Sequence, residues 1–95
     1  MFDLPISTSD QRRAYSKFMK FLKSNGFQMM QESVYVKLLH NGRNIVSELK
    51  EVSDESPKEG LVCTIPLNIS AFKRALFGGN GRFDIAVFSE DVVVI

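Results

Sequence analysis

The chain has one cysteine, one histidine, three prolines and no tryptophan among 95 residues. A lone Cys63 cannot close an internal disulfide, and no Cys/His cluster has zinc spacing, so an intracellular, cytoplasmic setting is expected. His40 is the only ordinary side chain able to exchange a proton near neutral pH, and beside Asn41-Gly42 it reads as an exposed strand-end residue. No apolar run approaches the roughly 20 residues of a membrane span. Met1-Phe2-Asp3 also lacks the basic start of a signal peptide, so no membrane role is expected.

What is present is ordinary globular material. Hydrophobic residues make up 44% and charged residues 24% of the chain, too apolar for disorder, with eight Phe and four Met to bury. No repeat, low-complexity stretch or linker divides residues 1–95, which are read as a single domain. A domain this small buries only about 60 to 65% of its unfolded surface, so oligomerisation is a common aid to stability.

The net charge of +1 hides an asymmetry. Residues 1–44 carry seven Lys/Arg against three acids, and residues 45–95 carry five against eight. Arg12, Arg13, Lys17, Lys20 and Lys23 follow one another with no acid between them. Several cations along one surface are what phosphate binding requires, so Arg12, Arg13, Lys17 and Lys20 are candidate nucleic-acid-binding residues. The plainer alternative is a solvated helix face.

Local signals give the order of elements. Phe2-Asp3-Leu4 reads as a strand end stopped by Pro5. Thr8 with Gln11 three residues on matches a capping box, Ala14, Phe18, Phe21 and Leu22 recur at helical spacing, and Asn25-Gly26 is a helix stop. This predicts a helix from Ser9 to Ser24 with one packed and one basic face.

Residues 27–39 read as two strands joined by a bend or bulge, with Val34, Val36 and Leu38 on one face. Ile45, Val46, Leu49 and Val52 predict a second helix ending near Val52. Leu61 to Ile65 reads as a fully apolar, central strand in which Cys63 is a small core residue. Ile69 to Phe77 predicts a short helix, Gly78-Gly79-Asn80-Gly81 a turn, and Phe83 to Phe88 and Val92 to Ile95 strand character. The result is an α+β, ferredoxin-like βαββαβ domain, two helices on one face of an antiparallel sheet, with a C-terminal strand extension. The opposite sheet face is expected to need a partner.

Asp3 stands out as the one carboxylate near the end of an apolar strand, where a charge is costly unless paired or bound to a cation. One carboxylate is a meagre magnesium site, but a two-fold dimer could bring a second copy close. The plainer reading has Asp3 accepting hydrogen bonds from the Ser7 to Ser9 turn. Tyr15 reads as half-buried packing.

Met1-Phe2-Asp3-Leu4-Pro5, Arg12-Arg13-Ala14-Tyr15, Lys17-Phe18, Lys20-Phe21-Leu22, Asn25-Gly26-Phe27 and Met30 to Tyr35 together resemble the CRISPR-associated protein two family, its type II subset most of all. Pro57-Lys58-Glu59-Gly60 and the last strand, Asp91 to Ile95, continue the match. The resemblance implies a ferredoxin-like homodimer that holds protospacer double-stranded DNA between copies of the CRISPR integrase, mainly as scaffold. It also implies a second activity described for some members, magnesium-dependent cleavage of RNA or DNA. There the catalytic and metal-binding aspartate, matched by Asp3, comes from both subunits. Ser7 stands where many relatives carry an acid, which weakens the nuclease reading, and Ser16 and Met19 stand where arginine is common, which lowers the DNA-facing charge; the scaffold reading survives these departures better than the catalytic one. The final strand, Val92 to Ile95, is expected to pair with a neighbouring chain.

Overall fold

The computed structural model describes residues 1–40, 44–75, 78–79 and 91–95. The elements follow in the order β1 (Phe2–Asp3), α1 (Ser9–Ser24), β2 (Gln28–Gln31), β3 (Val34–Leu39), α2 (Ile45–Glu55), β4 (Leu61–Val62), β5 (Ile65–Asn68), α3 (Ile69–Lys73) and β6 (Asp91–Val94). This is the α+β, antiparallel, ferredoxin-like arrangement that the order of elements predicts.

Helix α1 starts and stops where its caps say. The Gln11 amide donates to Thr8 Oγ1 at 3.1 Å, and Gln11 Oε1 accepts from the Ser7 and Thr8 amides at 2.9 and 3.0 Å. These bonds satisfy donors that the first turn otherwise leaves orphaned. At the far end Asn25 Nδ2 donates to the Phe21 carbonyl at 2.8 Å, and Gly26 takes φ +85°. Phe18 and Leu22 are buried, so the apolar stripe packs inward as its spacing requires.

Strands β2 and β3 form the expected bent hairpin, with a register shift between Met29 and Gln31. Its turn places Ser33 at φ 62°, a left-handed conformation costly to a residue with a Cβ. Helix α2 is capped by Asn44, whose Oδ1 accepts from the Val46 and Ser47 amides. Ile45, Leu49 and Val52 pack toward the core, but Val46 is 68% exposed, because the position after Ile45 is rotated by about 100° around the axis. The helix also continues past Val52 to Glu55.

The sheets differ from expectation in two places. Residues 61–65 are not one central strand. Among the described residues β4 pairs with β1 alone, the chain leaves the ladder at Cys63 and Thr64, and β5 forms the edge of a second sheet ordered β2-β3-β6-β5. Pro66, with no N–H to give, suits that edge. Cys63 is therefore exposed rather than in the core.

The second difference is β6. It lies between β3 and β5 of its own chain rather than on a neighbour, with Val36 opposite Val94 and Leu67 opposite Val92. The run Val92 to Ile95 is apolar on both alternations, which suits a strand covered on both faces.

Two clusters hold the layers together. Phe2, Phe18, Leu22, Phe27, Tyr35, Leu39, Val52, Val93 and Ile95 pack on the side of α1 and α2. Val34, Val36, Val92 and Val94 pack with Phe72 of α3 on the other, so the chain itself covers part of the face expected to need a partner. Helix α3 ends at Lys73, short of the predicted Phe77. Residues 76–77, the predicted strand Phe83 to Phe88 and half of the predicted turn at 78–81 lie outside the described residues. Among the described residues no helix is long and apolar enough to cross a membrane.

One buried contact joins β3 to α2. Lys37 Nζ lies 2.9 Å from Glu48 Oε2 and 5.6 Å from the centre of the Phe27 ring. Both charged residues are buried. Such a pair holds only while each charge keeps its compensation.

Candidate nucleic-acid interface

Asp3 is the last residue of β1, opposite Leu61, while Phe2 opposes Val62. Phe2 turns inward, its ring centre 6.4 Å from that of Tyr15 and 6.1 Å from that of Phe18. Alternation along a strand therefore sends Asp3 outward. The Met1 amine donates to the Cys63 carbonyl and the Cys63 amide to the Met1 carbonyl, both at 2.8 Å. Met1, Asp3, Leu61 and Cys63 thus share the open face of the β1–β4 ladder, and all four are exposed. The Asp3 carboxylate makes no hydrogen bond or ion pair among the described residues, the Ser7 to Ser9 turn included.

The backbone behind Asp3 is tightly set. Gly60 has φ +92°, and a Cβ there would lie 2.6 Å from the Asp3 carbonyl oxygen and 2.9 Å from Pro5 Cδ. Only glycine satisfies both the torsion and the close approach. Gln11 Nε2 donates to Glu59 Oε2 at 2.6 Å, tying this loop to the first turn of α1.

Beside Asp3 opens a cleft of about 400 Å³ whose walls include Leu4, Ile6, Arg12, Tyr15, Ser16, Glu32 and Ser33. The Phe2 amide donates to the Ser33 carbonyl at 3.1 Å, so the β2–β3 turn is fastened to the strand that carries Asp3. Sequence reasoning missed Glu32 here. It sits 29 residues from Asp3 at a polar turn, and only the docking of the hairpin against β1, through the Phe2 amide and the Ser33 carbonyl, makes them neighbours across one cleft.

The four candidate cations divide by what they touch. Arg12 Nη1 donates to the carbonyls of Ile6 at 3.2 Å and Ser7 at 3.1 Å, so its guanidinium holds the β1–α1 loop. Arg13 lies 3.5 Å from Asp10, with both side chains mostly in solvent. Lys17 and Lys20 are exposed and have no ion pair among the described residues, and Lys23 is exposed in the last turn. Arg13, Lys17 and Lys20 stand three and four residues apart and so form one stripe. His40 is exposed at the end of β3, as expected.

Among the described residues no three His, Cys, Asp or Glu gather as a metal site. Asp3 and Glu32 are the two carboxylates that line this cleft.

These features define a ferredoxin-like domain that presents a strand-end aspartate, a neighbouring cleft and a cationic helix face. The family model for CRISPR associated protein Cas2 matches residues 1–75, and the chain belongs to that family. It is 37% identical over 91 residues to a Streptococcus mutans protein named CRISPR-associated endoribonuclease Cas2, covering 96% of this chain and 84% of that one. Proteins of the same name from Treponema denticola and Lacticaseibacillus rhamnosus are 36% and 31% identical. These two matches cover 99% and 100% of this chain, and 94% and 95% of the relatives.

Proposed function

We propose that this chain acts as a homodimer in CRISPR adaptation, binding protospacer double-stranded DNA and scaffolding the CRISPR-associated integrase during spacer acquisition. The observation that carries the reading is the α1 stripe of Arg13, Lys17 and Lys20, exposed and met by a single surface acid. The seven-residue reach from Arg13 to Lys20 is about 10 Å at 1.5 Å per residue. That length of duplex carries roughly six phosphate charges, enough to meet all three cations. Arg12 contributes mainly by shaping the loop that leads into the helix.

Replacing Arg13 and Lys17 with alanine together is expected to weaken duplex binding and lower its salt slope by about two. Titration of a labelled duplex at several salt concentrations measures both. Unchanged affinity and slope would remove the helix face from the interface.

A second reading is favoured by the exposed, uncommitted Asp3 and by the endoribonuclease name of the relatives. In it a dimer formed on the open β1–β4 face brings two copies of Asp3 together across the exposed Met1 and Leu61. Magnesium held there would activate water or steady the phosphoryl group during hydrolysis. Asp3→Asn would then abolish magnesium-dependent cleavage of RNA or duplex DNA while leaving duplex binding intact. Cleavage that survives the substitution places the chemistry elsewhere.

A further inference from the structure

We infer that the cleft beside Asp3 is a nucleobase pocket in which Glu32 reads an unpaired guanine. The inference goes beyond the duplex reading and does not depend on it. Its walls combine apolar surface from Leu4 and Ile6 and an aromatic side from Tyr15 with the polar side chains of Asp3, Arg12, Ser16, Glu32 and Ser33. Its volume of about 400 Å³ is enough for one nucleoside.

Charge decides which end of a nucleotide enters. Asp3 and Glu32 put two carboxylates on the cleft, and Arg12 already spends one guanidinium nitrogen on two loop carbonyls. With two carboxylates against one guanidinium the lining is net negative, so it disfavours a phosphate, while a base, being neutral and flat, meets no such penalty. Single-stranded nucleic acids are recognised in this way, with bases splayed onto aromatic side chains and hydrogen-bonded along their edges.

Glu32 is exposed and makes no hydrogen bond or ion pair among the described residues, so both its oxygens are available. An ionised carboxylate only accepts, and its two oxygens match two parallel N–H donors. Guanine offers such a pair on its pairing edge, N1–H beside the N2 amino group. Cytosine and adenine each place an acceptor nitrogen next to their single amino group, which a carboxylate opposes. The Phe2 amide to Ser33 carbonyl bond fixes the turn that carries Glu32, so the reading group is held by the sheet and not by a free loop.

The test measures binding of two labelled single-stranded RNA hexamers, uridines with one internal guanosine or one internal adenosine, and of a third with inosine, which lacks the amino group. The parent chain is expected to prefer the guanosine strand by roughly tenfold, with inosine between. Glu32→Gln is expected to remove the preference, and Glu51→Gln, at an exposed carboxylate of α2 outside the cleft, to keep it. Glu32 is on an exposed turn, and an unchanged melting temperature shows that the variant is folded. Equal binding of the three strands by the parent chain, no binding of any, or a preference that persists in Glu32→Gln would each overturn the assignment. Loss of duplex affinity in the Arg13/Lys17 variant is read in a separate titration, so the two proposals fail independently.

Discussion

The molecule uses cations in two opposite ways. Lys37 is sealed between β3 and α2, 2.9 Å from Glu48 and over the Phe27 ring. Arg13, Lys17 and Lys20 stand in solvent on α1, and the one close acid, Asp10, is itself almost fully exposed. Dielectric makes the difference. Inside, a charge is held up mainly by the groups packed against it, whereas at the surface water supplies most of what a lost partner gave. Lys37 is thus bound to the stability of the fold, and the α1 cations are free to meet a ligand.

The strongest way to break this contrast is Glu48→Ala. Among the described residues it leaves the buried Lys37 ammonium with the Phe27 ring alone against it, and should lower unfolding free energy by about 3 to 5 kcal/mol in a urea titration. Lys37→Met with Glu48→Leu should recover most of that loss, because a well-packed apolar pair is often as stable as the ions it replaces. A double variant as unstable as Glu48→Ala would mean that the pair fixes the position of α2 in some further way.

Gly60→Ala should have an intermediate effect. Its φ of +92° and the 2.6 Å approach to the Asp3 carbonyl predict a loss of about 2 kcal/mol, with the displacement centred on Asp3. A melting curve matching the parent chain would show that the loop behind Asp3 can give way. Asp10→Ala marks the small end. It removes the acid beside Arg13 and should change stability by less than about 0.5 kcal/mol, while duplex affinity rises slightly as the stripe loses its one counter-charge among the described residues. Lower duplex affinity would mean that Asp10 holds Arg13 in its binding position.

What the sequence made legible follows the same line between local and distant causes. Helix α1 was readable at both ends because Thr8, Gln11, Asn25 and Gly26 act within a few residues of themselves. The β2–β3 bend and the shared face of Val34, Val36 and Leu38 were readable from alternation. Residues 61–65 misled because an apolar run says nothing about which strand will lie beside it, and here the chain changes sheets at Cys63 and Thr64. Lys37 left a signal that was overlooked. It occupies the inward alternation of β3 between Tyr35 and Leu39, where a charge implies a buried partner. For the site, Asp3 and the basic helix were named from the sequence, but Glu32 was not, since its place in the cleft depends on the hairpin docking against β1.

The place of β6 bears on how fast the protein reaches this state. The β2–β3 hairpin closes over a few residues, but β3 meets β6 through pairs such as Val36 with Val94, more than half the chain apart. Contacts of that span form late, because loop entropy is lost before any pairing repays it. Until they form, β3 and β5 each present an open edge, the condition in which apolar strands find one another between molecules. Refolding yield should therefore fall as protein concentration rises, a hazard that comes from order of assembly and that the finished fold conceals.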